Sequence, residues 1–226
     1  MSKTSAYIEG LGLIGPGFAN WPQAVPVLSG AQAYVHAPAA IPAPAALPSA
    51  ERRRTSQPVR LALAIGFEAA QASGRDAAAL STVFTASGGD GENCHAICET
   101  LAGDEREISP TRFHNSVHNA PAGYWSIAAH AMTSSNVLCA YDGSFCAGLL
   151  DSLCAVSVDA QETLLIAFDT EYPDPLRGVR PTADAFGVAL VLTPRESERT
   201  EARIDVELTD APATTLASPA LEAVRL

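Results

Sequence analysis

Residues 109–153, SPTRFHNSVHNAPAGYWSIAAHAMTSSNVLCAYDGSFCAGLLDSL, carry most of the side chains in this 226-residue chain that could do chemistry. Ser144 follows the run NVLCAYDG and opens a helical pattern, which is where a hydrolase places its nucleophile. The G-x-S-x-G turn of such enzymes is missing, because the local run is Asp142-Gly143-Ser144-Phe145-Cys146. A helix N-cap is the plain structural role for this serine. Cys146 is the better nucleophile candidate, since the first turn of a helix favours a thiolate; a small buried residue facing a sheet is the alternative. His118, within Asn115-Ser116-Val117-His118-Asn119, could take a proton from either, and Asp142 could orient a histidine. No spacing demands that arrangement. So many polar groups beside an apolar run must hydrogen-bond one another if buried, and they could equally order an interface. Tyr124 and Trp125 are large amphipathic side chains of the kind found both in cores and at subunit contacts.

Two other motifs carry less. The turn SGGDGEN, residues 87–93, has neither the G-x-G-x-x-G spacing of dinucleotide sites nor the lysine of a phosphate loop. Asp90 and Glu92 would repel a phosphate there, so a tight strand-to-helix turn is the reading. Cys94 and Cys98 share one helix face while His95 points elsewhere. No second cysteine pair stands at ligand spacing, so neither a metal nor another cofactor is expected. The two cysteines read as small buried residues beside an exposed histidine.

The elements that must position these groups follow from pattern and punctuation. Strands are predicted at 6–14, 81–86, 136–140, 163–168, 186–192 and 202–208, the last two paired antiparallel. Helices are predicted at 21–28 behind the Asn20 cap, 57–73 ended by Gly74, 92–101, 115–131 and 144–158. The proline-alanine stretch 37–50 excludes a regular helix and reads as an extended surface crossing. This order predicts an α/β fold: a mostly parallel five-stranded sheet with late antiparallel strands and packed helices. One domain is expected over 1–208, with 209–226 as a loosely held C-terminal tail. A formal charge of −11, from 14 basic and 25 acidic residues, repels phosphate backbones and argues against nucleic acid. An acidic carrier protein would need local basic residues or a more basic second subunit. Five cysteines in apolar contexts, no signal-peptide pattern and no run of ~20 apolar residues predict a reduced, cytoplasmic chain with no membrane span.

The run FHNSVHNAPAGYWSIA, residues 113–128, closely resembles the signature of the beta-ketoacyl synthase-like N-terminal-domain proteins of aryl polyene biosynthesis clusters. ERRRTSQPVRLALAIG, residues 51–66, resembles the arginine-containing approach to the second helix in ketosynthases, and the likeness extends over about residues 5–208. The resemblance implies a thiolase-like half. It places Gly148 and Leu149 on the Gly-Leu pair that follows the ketosynthase nucleophile, and Phe145 on the nucleophilic cysteine itself. Cys146 then falls one residue late, about 100° around the helix. A phenyl ring has no lone pair with which to attack a thioester. The two histidines that assist decarboxylation come from the C-terminal half of such enzymes, whereas the likeness here is to the first half, and His118 belongs to the N-terminal motif. What the resemblance implies is a non-catalytic, chain-length-factor-like subunit docked beside an active ketosynthase, a heterodimer in preference to a homodimer, meeting acyl carrier protein only indirectly. Phe145 would be a gate or wall of the shared tunnel, or simple core filler. The strand before it, with Asn136, Val137, Leu138, Cys139 and Tyr141, would pair across the two-fold. Asn115, His118, Tyr124 and Trp125 complete the implied interface and tunnel set. The competing readings are an independent acyl-transferring or hydrolytic enzyme using Cys146 or Ser144 with His118, and a homodimeric structural or acyl-binding module.

Overall fold

The computed structural model describes residues 4–104, 106–212 and 214–222. Its first strand, β1 (Thr4–Ile14), is apolar on both faces and largely buried, so it takes an interior place in the sheet. Helix α1 (Trp21–Leu28) starts at Asn20, whose side chain accepts from the Gln23 amide at 2.9 Å. The proline-alanine crossing that follows ends in the single turn α2 (Ser49–Arg52), and α3 (Gln57–Ser73) stops at Gly74 with φ 64, a left-handed position that glycine adopts freely. Next come β2 (Ser81–Thr85), α4 (Gly91–Ala102), α5 (Pro110–His114), α6 (Ala120–Ala129), β3 (Ser135–Leu138), α7 (Ser144–Ser157), β4 (Thr163–Asp169), β5 (Phe186–Thr193), β6 (Ala202–Val206) and α8 (Pro219–Glu222).

The α/β class is as the residues imply, but the sheet is larger and less parallel than expected. It has six strands in the order β3-β2-β4-β5-β1-β6. Only β2 runs parallel to its neighbours β3 and β4; the pairs β4–β5, β5–β1 and β1–β6 are antiparallel. The expectation that β5 and β6 pair with each other is corrected by β1, which inserts between them. The physical reason is burial: β1 has two apolar faces and needs a neighbour on each edge, while β6 is half-exposed and suits the rim.

The single helix expected over 115–131 is two helices. Pro121 lacks an amide donor and its ring would clash with the carbonyl one turn earlier, so it is tolerated only in the first turn of a new helix. Asn115 ends α5, and α6 ends at His130 with φ 54.

The sheet buries a face on each side. Helices α3 and α6 cover one, where Leu61, Ile65, Tyr124 and Trp125 meet Phe84 and Ile166. Helix α7 covers the other, setting Leu153 and Val156 on Val83, Leu165, Leu190 and Leu192. Contact between α3 and β1 is backbone to backbone: a Cβ at Gly12 would stand 2.1 Å from the Ile65 carbonyl oxygen, and one at Gly10 2.3 Å from that of Ala69. A register irregularity between Ile8 and Gly10 accompanies an inward Glu9. Its fully buried carboxylate is satisfied by Arg75 at 2.7 Å and by the Ser197 hydroxyl, which ties β1 to the end of α3 and to the loop before β6. Among the described residues no helix is long and apolar enough to cross a membrane.

Replacing Gly12 with alanine should therefore push α3 off the sheet. We expect Gly12→Ala to lower the unfolding free energy by about 1–3 kcal/mol, read as a lower urea midpoint at unchanged slope.

Candidate functional site

Strands β2, β3 and β4 run the same way, and the groups singled out by type and spacing gather near their C-terminal ends. After β3 the chain makes a short helical turn at Tyr141–Gly143, with Tyr141 at φ 51, and α7 begins at Ser144. A tyrosine in the left-handed region is strained, and its surroundings hold it there. The Arg180 guanidinium lies over the Tyr141 ring, 3.7 Å from its centroid, and donates to Asp142 at 2.7 Å. Asp142 is thus engaged by an arginine and does not orient a histidine.

Ser144 is buried, and its hydroxyl is spent within its own turn. It donates to the Tyr141 carbonyl at 2.7 Å and accepts from the Ala140 amide at 3.0 Å. The Ser144 carbonyl accepts from the Thr85 hydroxyl at 2.6 Å, which fixes the start of α7 to the end of β2. Ser144 therefore clamps the preceding turn, and the cap position expected of it falls on Gly143. One turn later Gly148 lets α7 settle on the sheet, since a Cβ there would stand 2.8 Å from Thr85 Cγ2 and 3.0 Å from Leu165 Cδ1.

Phe145 is 40% exposed and stands on the wall of an open cleft of about 1170 Å³. Leu13, Phe18, Val27, Phe168 and Phe186 give that cleft its apolar lining. Cys146 is exposed and lies outside the residues that line the cleft. His118 is exposed too, at a narrow slot with Ser56, Asp90 and Asn115. Among the described residues no hydrogen bond joins His118 to Ser144 or Cys146, so the structure does not assemble a serine or cysteine nucleophile with that base.

Three residues expected at an interface or tunnel are buried within the chain. The buried Asn115 donates to the Arg54 carbonyl at 2.7 Å and accepts from the Tyr124 hydroxyl at 3.2 Å. Trp125 stacks on Phe67, ring centroids 4.6 Å apart, and fills the space over Gly66, where a Cβ would be 2.7 Å from its Cζ3. The break at Pro121 turns this face of α6 inward, onto α3, so Tyr124 and Trp125 belong to the core. The strand residues behave differently. On β3, a sheet edge, Asn136 donates to Asp151 at 3.0 Å, and Val137 and Leu138 are half-buried against the two cores. Cys139 is exposed as a residue and its thiol donates to the Ser87 carbonyl at 3.1 Å.

The glycine turn serves packing: a Cβ at Gly88 would meet the Tyr172 hydroxyl at 2.2 Å, and one at Gly91 would meet Tyr172 Cδ1 at 2.1 Å. Cys94 and Cys98 are exposed, not buried as expected, while His95 is half-buried and sits 3.3 Å from Glu99. The reason is that α4 lies at the margin of the fold and buries only Gly91 and Asn93. Among the described residues no three metal-ligating side chains come together.

Sequence reasoning missed Asp169. It ends β4 at the rim of the cleft and accepts from both the amide (2.9 Å) and the hydroxyl (2.7 Å) of Ser87. Burial pushes its carboxyl above the ordinary carboxylate value, against the opposing pull of the Ser87 hydrogen bonds and of Arg180. An acidic residue closing the buried run TLLIAF, with a serine at the head of the glycine turn to satisfy it, was the available signal.

A helix opened by a clamped, left-handed turn at the end of a parallel strand, on a mixed six-stranded sheet, defines a ketosynthase-like α/β protein. Residues 27–223 match the family described as beta-ketoacyl synthase, N-terminal domain, and the chain belongs to that family. Among solved structures it is similar to a ketosynthase in complex with its chain length factor from Xenorhabdus doucetiae, at 27% identity and a TM-score of 0.69, over 84% of this chain and 79% of that one. It also has the fold of the ishigamide ketosynthase/chain length factor (17% identity, TM-score 0.64, 88% of this chain and 63% of that). A third likeness is to a beta-ketoacyl synthase from Burkholderia phymatum (13% identity, TM-score 0.64, 85% and 59%). The chain spans less than two-thirds of the last two. No match was found among curated proteins.

Two outcomes follow for this site. Because the folded carboxyl of Asp169 titrates above its unfolded value, its contribution to stability is present at low pH and is lost as pH rises through the raised value. Asp169→Asn should remove that loss, so the urea midpoint of the variant should gain on the parent as pH rises above the ordinary carboxylate value. Ser144→Ala should cost about 1–2 kcal/mol, because the Ala140 amide and the Tyr141 carbonyl each lose a hydrogen-bond partner, and thermal melting would show it.

Proposed function

We propose that this chain is a non-catalytic, chain-length-factor-like partner of an active ketosynthase in aryl polyene biosynthesis. The observation that carries the reading is Phe145. It stands where the family resemblance places the nucleophilic cysteine, at the head of α7, and it lines an apolar cleft. The neighbouring hydroxyl is engaged within its own turn, and the neighbouring thiol, Cys146, is exposed and outside the cleft lining. A phenyl group there can shape a space but cannot hold an acyl chain as a thioester. The likeness to a chain of similar length within a ketosynthase–chain length factor complex supports the same reading.

The edge of β3 is the surface we assign to the partner. The Ser134 and Leu138 carbonyls accept from β2, so by the alternation of a strand the backbone groups of Ser135 and Val137 face outward. Pairing a partner strand there would complete the ladder. The excess negative charge of this chain disfavours direct docking of an acidic carrier protein on it, except at local basic residues.

Co-expression with the ketosynthase of the same gene cluster tests the proposal. A one-to-one complex by native mass spectrometry, with malonyl-dependent elongation that needs both chains, is the expected result. If the chain never associates and elongation is unchanged, the reading is wrong. A thiol-directed ketosynthase inhibitor should label the partner's cysteine and spare Cys146; stoichiometric labelling of Cys146 tied to loss of activity would overturn the inert-site assignment. Ser135→Pro, which removes an outward-facing amide, should abolish the complex while leaving the melting temperature of the isolated chain within a few degrees. Phe145→Ala should keep the complex and shift the length distribution of the product.

A further inference from the structure

Cys94 and Cys98 stand four residues apart in helix α4, and both are exposed. At that spacing two side chains share one helix face, with Cβ atoms about 5–6 Å apart. The Cys94 thiol is raised above its ordinary value by partial burial first, then by the charge and side-chain hydrogen bond of Cys98, and by the Asp90 carboxylate. The two sulfur atoms therefore face each other. The remaining cysteines form no such pair. The Cys139 thiol bonds to the Ser87 carbonyl, while Cys146 and Cys154 are separated by about 12 Å along α7.

A facing dithiol can close to a disulfide, react with a peroxide or hold a soft metal ion, and the surroundings separate these. A disulfide needs its Cβ atoms about 3.5–4.5 Å apart, so α4 would have to tighten. Its first turn resists. Asp90 accepts from the Asn93 amide at 3.0 Å, the Cys94 amide donates to the Asp90 carbonyl at 2.9 Å, and the Asn93 side chain donates to the Arg112 carbonyl at 2.8 Å. Attack on a peroxide needs a thiolate, and the raised Cys94 thiol resists forming one. A cation removes that obstacle, because it neutralises both thiolates and is attracted by Asp90 and Glu92 at the same end of the helix. Asp90 Oδ2 is buried and has no hydrogen-bond partner among the described residues, so its charge is poorly compensated.

The donor set selects the ion. Zinc would require two more ligands. His95 does not supply one, being about 100° round the helix and 3.3 Å from Glu99. Soft ions that accept two sulfurs in line need them about 4.5 Å apart, twice a metal–thiolate bond of about 2.3 Å. Thiols leaning together from one helix face span that distance. We propose that Cys94 and Cys98 form a surface dithiol site for a soft monovalent cation of the copper(I) class. Binding breaks two S–H bonds, forms two metal–sulfur bonds and releases both protons to solvent; no electron changes hands.

The test titrates the full reduced chain, without oxygen, into the coloured complex of copper(I) with bicinchoninate. One copper ion per chain should leave the chelator. Cys94→Ser and Cys98→Ser should each weaken binding roughly 100-fold or more, as expected when two-point attachment becomes one-point. The triple variant Cys139→Ser/Cys146→Ser/Cys154→Ser should bind like the parent. X-ray absorption at the copper edge should show two sulfur neighbours. The single variants alter exposed side chains, and an unchanged melting temperature shows them folded. Copper retained by both single variants, or lost from a folded triple variant, would overturn the assignment. Failure of the parent to take copper overturns it as well, and a Cys94–Cys98 disulfide formed by stoichiometric peroxide in that protein would make the pair a redox couple instead. None of these outcomes bears on the ketosynthase-partner reading, which the association experiment decides.

Discussion

Helix α3 can touch the sheet only because β1 offers no side chain at Gly10 and Gly12, and much of the architecture depends on that contact. With the helix seated on the strand backbone, Leu61 and Ile65 reach the sheet, and Gly66 leaves the space that Trp125 fills. Trp125 and Tyr124 then anchor α6, and through Asn115 the turn between α5 and α6 is tied to the backbone of Arg54. The end of β1, held by the same contact, supplies Leu13 to the wall of the cleft. A single methyl group on the strand would act on all of these together, because close-packed interiors transmit displacement and do not absorb it.

The head of α7 is fixed by several independent contacts. The left-handed tyrosine, the serine that satisfies two backbone groups and the glycine that lowers the helix onto Thr85 are all devices for holding the next side chain in a fixed place. Arg180 offsets the strain at Tyr141 from outside, through ring and carboxylate together. Phe145 follows them and lines the cleft, while Cys146, one residue on and about 100° around the helix, is not among the lining residues.

Much of this was legible from residue order. The helix over 57–73, with its Gly74 stop, and the buried strand over 163–168 follow from local signals that no tertiary contact opposes. The family likeness rested on 113–128, and the chain is a member of that family. What could not be read depended on partners distant in sequence. β1 lies beside β5 and β6, nearly two hundred residues away, and nothing local says that it separates them. A proline at 121 was visible, but the apolar run around it hid the break between α5 and α6. Cys94 and Cys98 look like core residues by type and are exposed because α4 sits at the margin. Asn115, Tyr124 and Trp125 belong to the motif that carried the resemblance, and their burial in the packing of α6 on α3 could not be read from it. Asp169 carried no motif at all; its character comes from burial beside Ser87.

The short edge strand β3 has a bearing on solubility. Four residues long and paired on one side only, it leaves hydrogen-bonding groups open to another strand. A copy with that edge bare would carry it through every encounter in a crowded cell, where any extended segment can add to it. Covering the edge then becomes a condition of staying in solution, and an uncovered one would surface first as insoluble protein.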